Sequence, residues 1–283
     1  MGSTDVAGRV DGDLTGASTV VTGAAGGIGA AFARVLLERG AHVVLGDLDA
    51  ARVEATAADL RAEFGDRVRH HAGDTSTDAG VAALLTAAPA PVDVFVANAG
   101  VFRGFGLEST EQDWSLSWEV NVLGHVAAAR ALVPGWVESA RSGGAGGAFV
   151  SVASAAGLLT QLGSPTYSAT KHAALGFAEW LAATYGDQGV QVTAVCPMGV
   201  RTAMLEEGET SAQPDARLGM RSVVSAGEPI EAREVAEVAL AALAEGRFLA
   251  LPHPEVDRMQ QQKAADRDRW ISGMQRFRTS LEG

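Results

Sequence analysis

Short runs of β-branched residues alternate with longer stretches rich in alanine and leucine, and this alternation constrains the fold more than any other feature. The short runs are typical of buried strands, whereas the longer stretches carry the spacing of amphipathic helices. Strands and helices in alternation build a parallel sheet with helices on both faces. Seven strands are predicted, at 19–22, 41–46, 68–71, 92–97, 148–152, 190–196 and 248–251.

The predicted helices lie between these strands, and no change of composition divides the series. We therefore expect a single α/β domain over residues 14–252, with a doubly wound, seven-stranded parallel sheet. The helices are predicted at 28–39, 50–64, 81–88, 111–141, 166–185 and 232–245.

Two segments interrupt or precede this pattern. Residues 1–13 hold acids and glycines without an apolar run, which predicts a flexible N-terminal tail rather than a signal peptide. Residues 204–224 carry several acids together with Gly208 and Pro214. An excursion of this kind between a strand and a helix is a common place for a substrate lid, and we predict one here.

Residues 253–283 predict a helical C-terminal extension. Its apolar side chains Trp270, Met274 and Phe277 recur at helical spacing. They either pack against this subunit or a neighbour, or close over a substrate. His253 is interpreted as part of this extension rather than as a catalytic residue.

Charge and cysteine content exclude several classes of partner. The chain has 22 basic and 34 acidic side chains and a formal charge of −12, whereas nucleic acids and anionic membranes attract clustered positive charge. The single cysteine, Cys196, cannot pair within the chain, which favours a reducing compartment. No apolar run approaches the roughly 18 residues of a membrane span. A cytoplasmic protein is expected.

A glycine-rich turn, Thr22 to Gly29, lies between the first predicted strand and the first predicted helix. Glycines let the backbone turn tightly and approach a pyrophosphate, whose charge a helix N-terminus favours. In this position the turn is typical of a Rossmann-like, dinucleotide-binding fold, although a tight turn without a ligand has the same composition.

An acidic residue at the end of the second strand indicates which dinucleotide binds. Asp47 follows Gly23 by 24 residues, where a carboxylate accepts ribose hydroxyls and repels a 2′-phosphate. No Arg or Lys lies within the glycine turn or directly beside Asp47, so NAD is favoured over NADP. Asp49 is interpreted as a helix cap, and no metal is expected. Asp74 either bonds the adenine amino group or caps the helix after Thr75.

The chemistry is indicated by one tyrosine and one lysine. The chain has only two of each, and Tyr167 and Lys171 stand four residues apart on a predicted helix, hence on one face. A cation beside a phenol favours the phenolate and lowers the pKa of the tyrosine, as a general acid/base requires.

The order and spacing of these motifs resemble the short-chain dehydrogenase/reductase family in its classical form, over residues 14–252. The glycine turn is similar to the family's TGxxxGxG, and Tyr167 with Lys171 to its YxxxK. Asn98-Ala99-Gly100 resembles the family's NAG, although Ala97 stands where a further asparagine is usual. Asn121 and Ser154, the latter thirteen residues before Tyr167, match the remaining catalytic positions.

This resemblance implies a role for each catalytic residue. Tyr167 takes the alcohol proton as hydride moves to the nicotinamide, or returns it during ketone reduction. Ser154 positions the reacting oxygen, and Lys171 binds the nicotinamide ribose and depresses the pKa of Tyr167. Asn121 holds, through its backbone, a water that links Lys171 to a proton relay.

The glycine turn, the acidic residues and the resemblance together imply a set of contacts to NAD. These are Gly23, Ala25, Gly26, Gly27, Ile28, Gly29, Asp47, Leu48, Asp74, Thr75, Asn98, Ala99, Gly100, Tyr167, Lys171, Pro197, Gly199, Val200 and Thr202.

The predicted substrate contacts are mostly apolar: Ser154, Ala156, Leu162, Met198 and Met204, with Gln161 as a hydrogen-bonding neighbour. Met198 replaces a small residue at the point after the sixth strand where the family usually has Pro-Gly. It either reaches the substrate or packs behind the loop.

The resemblance therefore implies an NAD(H)-dependent alcohol dehydrogenase or ketoreductase acting on a hydrophobic secondary alcohol and its ketone. Two alternatives are a 3-oxoacyl carrier-protein reductase, which Asp47 and the −12 charge oppose, and a catalytically silent NAD-binding sensor or scaffold. The family also implies a homotetramer or homodimer built on the helices at 111–141 and 166–185.

Overall fold

The computed structural model of the protein describes residues 13–282. The tail predicted at 1–13 lies outside the described residues, apart from Asp13. The described part contains one parallel sheet of seven strands in the order β3-β2-β1-β4-β5-β6-β7. The strands are β1 Ser18–Thr22, β2 His42–Asp47, β3 Val68–Ala72, β4 Val94–Ala97, β5 Gly147–Val152, β6 Val190–Val195 and β7 Leu249–Ala250.

Helices connect the strands and cover both faces of the sheet, so the doubly wound fold is confirmed. In chain order they are α1 Gly27–Glu38, α2 Ala50–Phe64, α3 Asp78–Thr86, α4 Glu111–Trp118, α5 Gly124–Arg141, α6 Ala155–Leu158, α7 Pro165–Tyr185, α8 Ala203–Glu209, α9 Pro214–Ala226, α10 Ala232–Ala244, α11 Glu255–Ala265 and α12 Arg267–Glu282. None of those within residues 13–282 is both long and apolar enough to cross a membrane.

Two apolar layers hold the helices to the sheet. Successive residues of a strand point to opposite faces. Accordingly, Val43 and Leu45 belong to the layer under α1 and α10, whereas Val44 belongs to the layer under α3, α5 and α7. Burial of one such side chain stabilises the fold by about 1.5–3 kcal/mol. The central strands are buried on both faces for this reason and read as nearly continuous apolar runs.

The strand order reverses between β1 and β4. From β1 the chain moves outward to β2 and β3, then returns to β4 on the other side of β1 and continues to β7. Connections on opposite sides of the sheet leave a crevice at the carboxyl ends of these two neighbouring strands, where ligands of open α/β sheets bind. The fold therefore places a ligand crevice directly beside the glycine turn.

The chain is helical over the whole of the predicted span 111–141, but in three successive parts rather than as one regular α-helix. A capping box between Thr110 and Asp113 starts α4, and a π-helix over Glu119–Leu123 separates α4 from α5. The π-helix differs from the flanking α-helices in its i→i+5 hydrogen bonds over five residues, and apolar periodicity alone does not reveal so short a change.

The excursion at 204–224 is helical rather than irregular. It forms α8 and α9, which are separated by a short turn before Pro214, the first residue of α9. Proline is favoured there because the first helical position needs no N–H donor. The substrate lid itself stays a prediction.

The C-terminal extension consists of α11 and α12, which fold back onto the domain. Val256 is fully buried and joins Ala155 and Leu159 in a small apolar cluster, against which Trp270 packs. The second helix, α12, also lies against α9. This agrees with the packing alternative for Trp270.

Candidate active site

The glycine turn between β1 and α1 is built so tightly that side chains are excluded from it. Gly23 has a φ of +62°, and a Cβ atom added there would lie 2.8 Å from the Cα of Ala99. A Cβ at Gly29 would lie 2.1 Å from the Gly23 carbonyl oxygen. No side chain caps the first turn of α1, so its backbone N–H groups face the crevice. Such N–H groups bind phosphate oxygens.

The loop after β4 clamps this turn in place. The side-chain amide of Asn98 donates hydrogen bonds to the carbonyls of Thr22 (2.9 Å) and Gly23 (3.0 Å). In return, the Thr22 hydroxyl accepts the N–H groups of Asn98 (3.0 Å) and Ala99 (3.1 Å). Asn98, predicted as a cofactor contact, thus uses its amide nitrogen to support the turn.

Asp47 is fixed at the rim of the crevice. One carboxylate oxygen accepts the N–H of Ala25 at 3.0 Å, and the other accepts that of Asp49 at 3.1 Å. Its neighbour Leu48 is 74% exposed and presents apolar surface at the same rim. Asp49 caps α2 by accepting the N–H of Arg52 at 3.0 Å, which confirms the interpretation of Asp49.

The tertiary structure also brings a cation to the turn that sequence reasoning missed. The Arg52 guanidinium lies so close to Gly26 that an added Cβ atom would be 3.2 Å from its Nη2. The sequence held one indication of this contact. Because Asp49 caps α2, Arg52 lies in the first turn of that helix, close to the end of β2. The sequence gives no direct indication that this turn faces the glycines.

Asp74 makes a local turn rather than a helix cap. Its Oδ1 accepts hydrogen bonds from the N–H (2.9 Å) and the hydroxyl (2.6 Å) of Ser76. Thr77 caps α3 instead, by accepting the N–H of Gly80. The capping alternative for Asp74 is therefore wrong, and its contact with adenine, like that of the buried Thr75, stays a prediction.

The loop after β6 closes the other side of the crevice. Ile230 donates its N–H to the Gly199 carbonyl at 3.0 Å and pairs with Val200. A Cβ at Gly27 would lie 3.2 Å from the Thr202 methyl, so this loop meets the glycine turn. Just before it, Cys196 is buried, and burial raises the pKa of its thiol to about 12. A protonated thiol is a poor nucleophile, in agreement with a structural role.

Ser154 begins α6 and lies against the loop after β6. Its hydroxyl accepts the N–H of Ala156 at 3.1 Å and faces the Pro197 carbonyl at 3.4 Å. The same carbonyl accepts the N–H of Ala155 at 2.8 Å. The position of Ser154 is therefore coupled to the backbone of Pro197.

Tyr167 and Lys171 lie one turn apart on α7, as the spacing predicts. Ser164 caps this helix by accepting the N–H of Tyr167 at 3.2 Å. Lys171 is only 3% exposed, and its Nζ donates to the Val152 carbonyl at 3.0 Å. The same Nζ lies 5.6 Å from the centroid of the Tyr167 ring.

Asn121 connects the π-helix to this group. Its Oδ1 accepts the N–H of Val101 at 2.8 Å, and its Nδ2 donates to the Val101 carbonyl (3.1 Å) and to the Thr170 hydroxyl (3.0 Å). The side chain is fully buried. It fixes the loop after β4 and helix α7 relative to one another.

The pKa of Tyr167 differs from the sequence expectation. Burial raises it above its ordinary value, while a hydrogen bond with Ser154 acts in the opposite direction. Burial also lowers the pKa of Lys171 to about 8. Desolvation disfavours the charged form of both groups, so in the protein chain alone it outweighs the proximity of the ammonium group.

Aromatic rings form one wall beside the tyrosine. The rings of Phe102 and Tyr167 pack edge to face, with centroids 5.2 Å apart, and Phe105 packs on Phe102 at 5.0 Å. The amide nitrogen of Gln161 donates to the Gly219 carbonyl of α9 at 2.9 Å. Gln161 therefore ties the loop before α7 to α9.

The predicted substrate residues are distributed over several environments. Ala156 is buried one residue after the start of α6, and Leu162 is partly buried in the loop before α7. Met198 packs with Ala155, Leu159 and Val256, which favours packing behind the loop over contact with a substrate. Met204 is 37% exposed on α8, and its contact with a substrate stays a prediction.

Comparison with protein families accounts for this arrangement. The family model described as short chain dehydrogenase matches residues 17–213. The chain belongs to the short-chain dehydrogenase family. It is thus an oxidoreductase of this family, as the motifs indicated.

Two curated relatives of this short-chain dehydrogenase act on small molecules according to their names. It is 34% identical over 196 residues to a 2-keto-3-deoxy-L-fuconate dehydrogenase of Xanthomonas campestris pv. campestris, covering 68% of this chain and 61% of that protein. The match therefore spans less than two thirds of that relative. It is 35% identical over 197 residues to a D-threitol dehydrogenase of Mycolicibacterium smegmatis, covering 68% of this chain and 73% of the other.

Solved structures of short-chain dehydrogenases share the whole fold. A family member from Burkholderia phymatum in complex with NAD is 31% identical, with a TM-score of 0.78 over 90% of this chain and 95% of that one. A short-chain dehydrogenase from Sphingobium yanoikuyae in complex with NADPH is 26% identical, with a TM-score of 0.73 over 90% and 94%. Neighbours in the family thus bind either dinucleotide.

Proposed function

We propose that this protein is an NAD(H)-dependent oxidoreductase that interconverts a hydrophobic secondary alcohol and its ketone, with Tyr167 as general acid/base. The observation that carries the proposal is the grouping of Tyr167, Ser154 and a buried Lys171 at the carboxyl end of the sheet. A buried cation held next to a phenol has little value for stability, because burial disfavours its charge. It has a clear use in proton transfer.

The residues at the crevice fit a dinucleotide. The N-terminus of α1 and the side-chain-free turn at Gly23 would hold the pyrophosphate, while Asp47 would accept the adenosine ribose hydroxyls. The exposed Leu48 offers apolar surface to the adenine. Lys171 would contact the nicotinamide ribose, and Val200 and Thr202 the carboxamide.

Asp47 supports NAD rather than NADP. Its carboxylate is held at the rim by two backbone N–H groups, so it cannot easily turn away from a 2′-phosphate. A negative charge so placed repels a dianionic phosphate. Arg52 lies beside Gly26, so its guanidinium would bind the pyrophosphate of whichever dinucleotide is present.

The chain's own residues would manage the proton. The nicotinamide, when bound, supplies or accepts the hydride. Ser154 would hydrogen-bond the reacting oxygen. The position of the Ser154 hydroxyl is fixed because Ser154 and Ala155 contact the Pro197 carbonyl. Tyr167 would remove the alcohol proton or return it, and Lys171 would stabilise the phenolate through its charge. Asn121 would hold a water beside Lys171 through its backbone.

The substrate class follows from the wall beside Tyr167. Phe102 and Phe105 present aromatic surface next to the proton-transfer group. The amide nitrogen of Gln161 is already engaged by α9, so only its amide oxygen would be available to a substrate hydroxyl. An apolar, aromatic or alicyclic secondary alcohol fits this surface better than a sugar acid. Helices α8 and α9 would form the lid over it.

We further propose that the protein is cytoplasmic and assembles as a homotetramer or homodimer through α4, α5 and α7. Large apolar side chains stand exposed on α4 and α7, among them Trp118 (43%) and Trp180 (52%). The buried, unpaired Cys196 suits a reducing compartment.

A substrate panel tests the proposed activity. The purified protein is mixed with NAD or NADP and with matched sets of aromatic, alicyclic and polyol secondary alcohols, and absorbance of the reduced nicotinamide is followed. We expect turnover with NAD and the apolar alcohols. Turnover only with polyols would contradict the substrate class. No turnover with any of these alcohols, nor with the matching ketones and NADH or NADPH, would contradict the proposed function.

A further inference from the structure

The C-terminal extension makes a buried polar contact with the loop after β6. His253 lies between β7 and α11 and is 2% exposed. Its Nδ1 accepts the backbone N–H of Met198 at 3.2 Å. Met198 follows Pro197, whose carbonyl accepts the N–H of Ala155 at 2.8 Å and faces the Ser154 hydroxyl at 3.4 Å. The Met198 N–H and the Pro197 carbonyl belong to one peptide group, so a single peptide group links the imidazole to the catalytic serine.

The protonation state of His253 suits this role. Only a neutral imidazole leaves Nδ1 free to accept a hydrogen bond from an N–H group. Burial lowers the pKa of His253, although Glu255 and the backbone carbonyls of Gly199 and Glu228 act in the opposite direction.

A second buried side chain of the extension reaches the other side of Ser154. Lys263 of α11 is 8% exposed, and its Nζ donates to the Leu158 carbonyl at 2.7 Å. Leu158 is the last residue of α6, the short helix that Ser154 caps. The extension therefore contacts both the loop after β6, which faces the Ser154 hydroxyl, and the end of the helix that Ser154 caps.

Apolar packing joins these two contacts. Val256 of α11 is fully buried against Ala155 and Leu159, and the Met198 side chain packs on the same cluster. Met198 replaces the small residue that is usual at this point of the family's loop. The C-terminal extension therefore covers the side chain by which this chain differs from the family pattern.

We propose that His253 is a positioning residue: by accepting the Met198 N–H it fixes the Pro197 carbonyl and, through it, the Ser154 hydroxyl opposite Tyr167. The inference rests on the proposed function for its effect on turnover. The C-terminal extension then supports the geometry of the active site directly.

Three substitutions separate hydrogen bonding from packing. His253→Leu fills the space but removes the acceptor. His253→Asn keeps an oxygen near the position of Nδ1, whereas His253→Gln places its oxygen near that of Nε2. Gln261→Ala is the matched control, because Gln261 lies exposed on α11, the helix that follows His253, and bonds only its neighbour Asp257 in the described structure.

We expect His253→Leu and His253→Gln to lower kcat for the best alcohol by about tenfold or more, because small displacements of catalytic groups are costly. His253→Asn should stay within about threefold of the wild type. NADH affinity, measured by nicotinamide fluorescence, should change little because the glycine turn is untouched. Gln261→Ala should match the wild type throughout.

A second readout does not depend on turnover. In protein labelled with 15N-methionine, the Met198 amide, assigned with Met198→Leu, should exchange slowly in the wild type and in His253→Asn. It should exchange about tenfold faster or more in His253→Leu. If the wild type oxidises no alcohol, the proposed function fails, and the exchange rates alone decide this inference.

Either of two results would overturn the proposal. One is wild-type kcat and wild-type Met198 exchange in His253→Leu. The other is an equal loss in His253→Asn and His253→Gln, which would mean that the ring matters only for packing. Should His253→Leu fail to fold, the comparison of His253→Asn with His253→Gln remains decisive.

Discussion

The Nζ atom of Lys171 lies 5.6 Å from the centroid of the Tyr167 ring while it donates a hydrogen bond to the Val152 carbonyl. The ammonium group is thus held from two sides, by a strand end and by the helix that carries both residues. This geometry keeps the cation next to the phenol, and no carboxylate within residues 13–282 forms an ion pair with it. Two predictions depend on it.

Removal of the phenol hydroxyl should abolish proton transfer but not binding. We expect Tyr167→Phe to lower kcat by about 10²–10⁴-fold, the usual contribution of a positioned acid/base. NADH affinity should be retained. The measurement is the rate of nicotinamide reduction with the best alcohol. Tyr185→Phe is the matched control, since Tyr185 is the only other tyrosine. Wild-type turnover in Tyr167→Phe would disprove the assignment.

Lys171 should reduce stability at neutral pH. Burial lowers its pKa to about 8, so the unfolded chain binds this proton more tightly between about pH 8 and the ordinary value of 10.5. Stability should therefore rise with pH across that window in the wild type but not in Lys171→Met. At pH 7 we expect Lys171→Met to be more stable by about 1–3 kcal/mol in urea unfolding, and inactive. A less stable variant would show that the hydrogen bond to Val152 outweighs desolvation.

Asp47 and Arg52 should control cofactor binding in different ways. Asp47→Ala should weaken the binding of NAD and strengthen that of NADP, because the repulsion of a 2′-phosphate is lost.

Arg52→Ala should weaken the binding of both dinucleotides by a similar factor, about 5–20-fold, if the Arg52 guanidinium binds the pyrophosphate beside Gly26. Titration of both reduced dinucleotides by fluorescence measures these effects. Selective loss of NADP binding in Arg52→Ala would assign Arg52 to the 2′-phosphate instead.

Acid should destabilise the protein through His125. This residue is buried, its Nδ1 lies 3.1 Å from the Ser151 hydroxyl, and burial together with the nearby charge of Lys171 lowers its pKa to about 3. The unfolded chain binds a proton at this histidine from about pH 6.5 downward, whereas the folded protein does not until about pH 3. The free energy of unfolding therefore falls as the pH is lowered below 6.5. Relative to His125→Asn, the wild type should lose about 1.4 kcal/mol per pH unit below 6.5. Urea unfolding at pH 5.5, 6 and 7 measures the difference in unfolding free energy between the wild type and His125→Asn. A difference that does not change with pH would contradict the prediction.

Exposed tryptophans should matter for assembly. Trp180 on α7 is 52% exposed and stacks on Phe177, and Trp118 at the end of α4 is 43% exposed. Large exposed apolar surfaces mark interfaces. We expect Trp118→Glu with Trp180→Glu to reduce the molecular mass seen by light scattering to that of a single chain. As a control, Ile271→Glu on α12 should leave the mass unchanged. A wild type that is already monomeric would contradict the proposed assembly.

Local patterns predict much of this molecule because they have local causes. Neighbouring residues alone decide several features: the alternation of strands and helices, the tight turn at Gly23 and Gly29, and the four-residue spacing of Tyr167 and Lys171. Each of these follows from a local requirement of the backbone or of packing. The cap at Asp49 is of the same kind. The π-helix at Glu119–Leu123 escaped prediction because it is defined by its i→i+5 hydrogen bonds, which apolar spacing over five residues does not reveal.

Contacts between distant segments could not be predicted in this way. The pKa of Tyr167 depends on how much of the domain surrounds it, and burial reverses the shift that the nearby lysine suggests. Arg52 meets Gly26 and His253 meets Met198 across 26 and 55 residues of chain, respectively. The sequence alone determined the family and the sheet, and it supplied the residues that we propose as catalytic groups. Which side chains meet, and which of them remain charged, was decided by the packing of the tertiary structure, because desolvation and contact are properties of the folded whole.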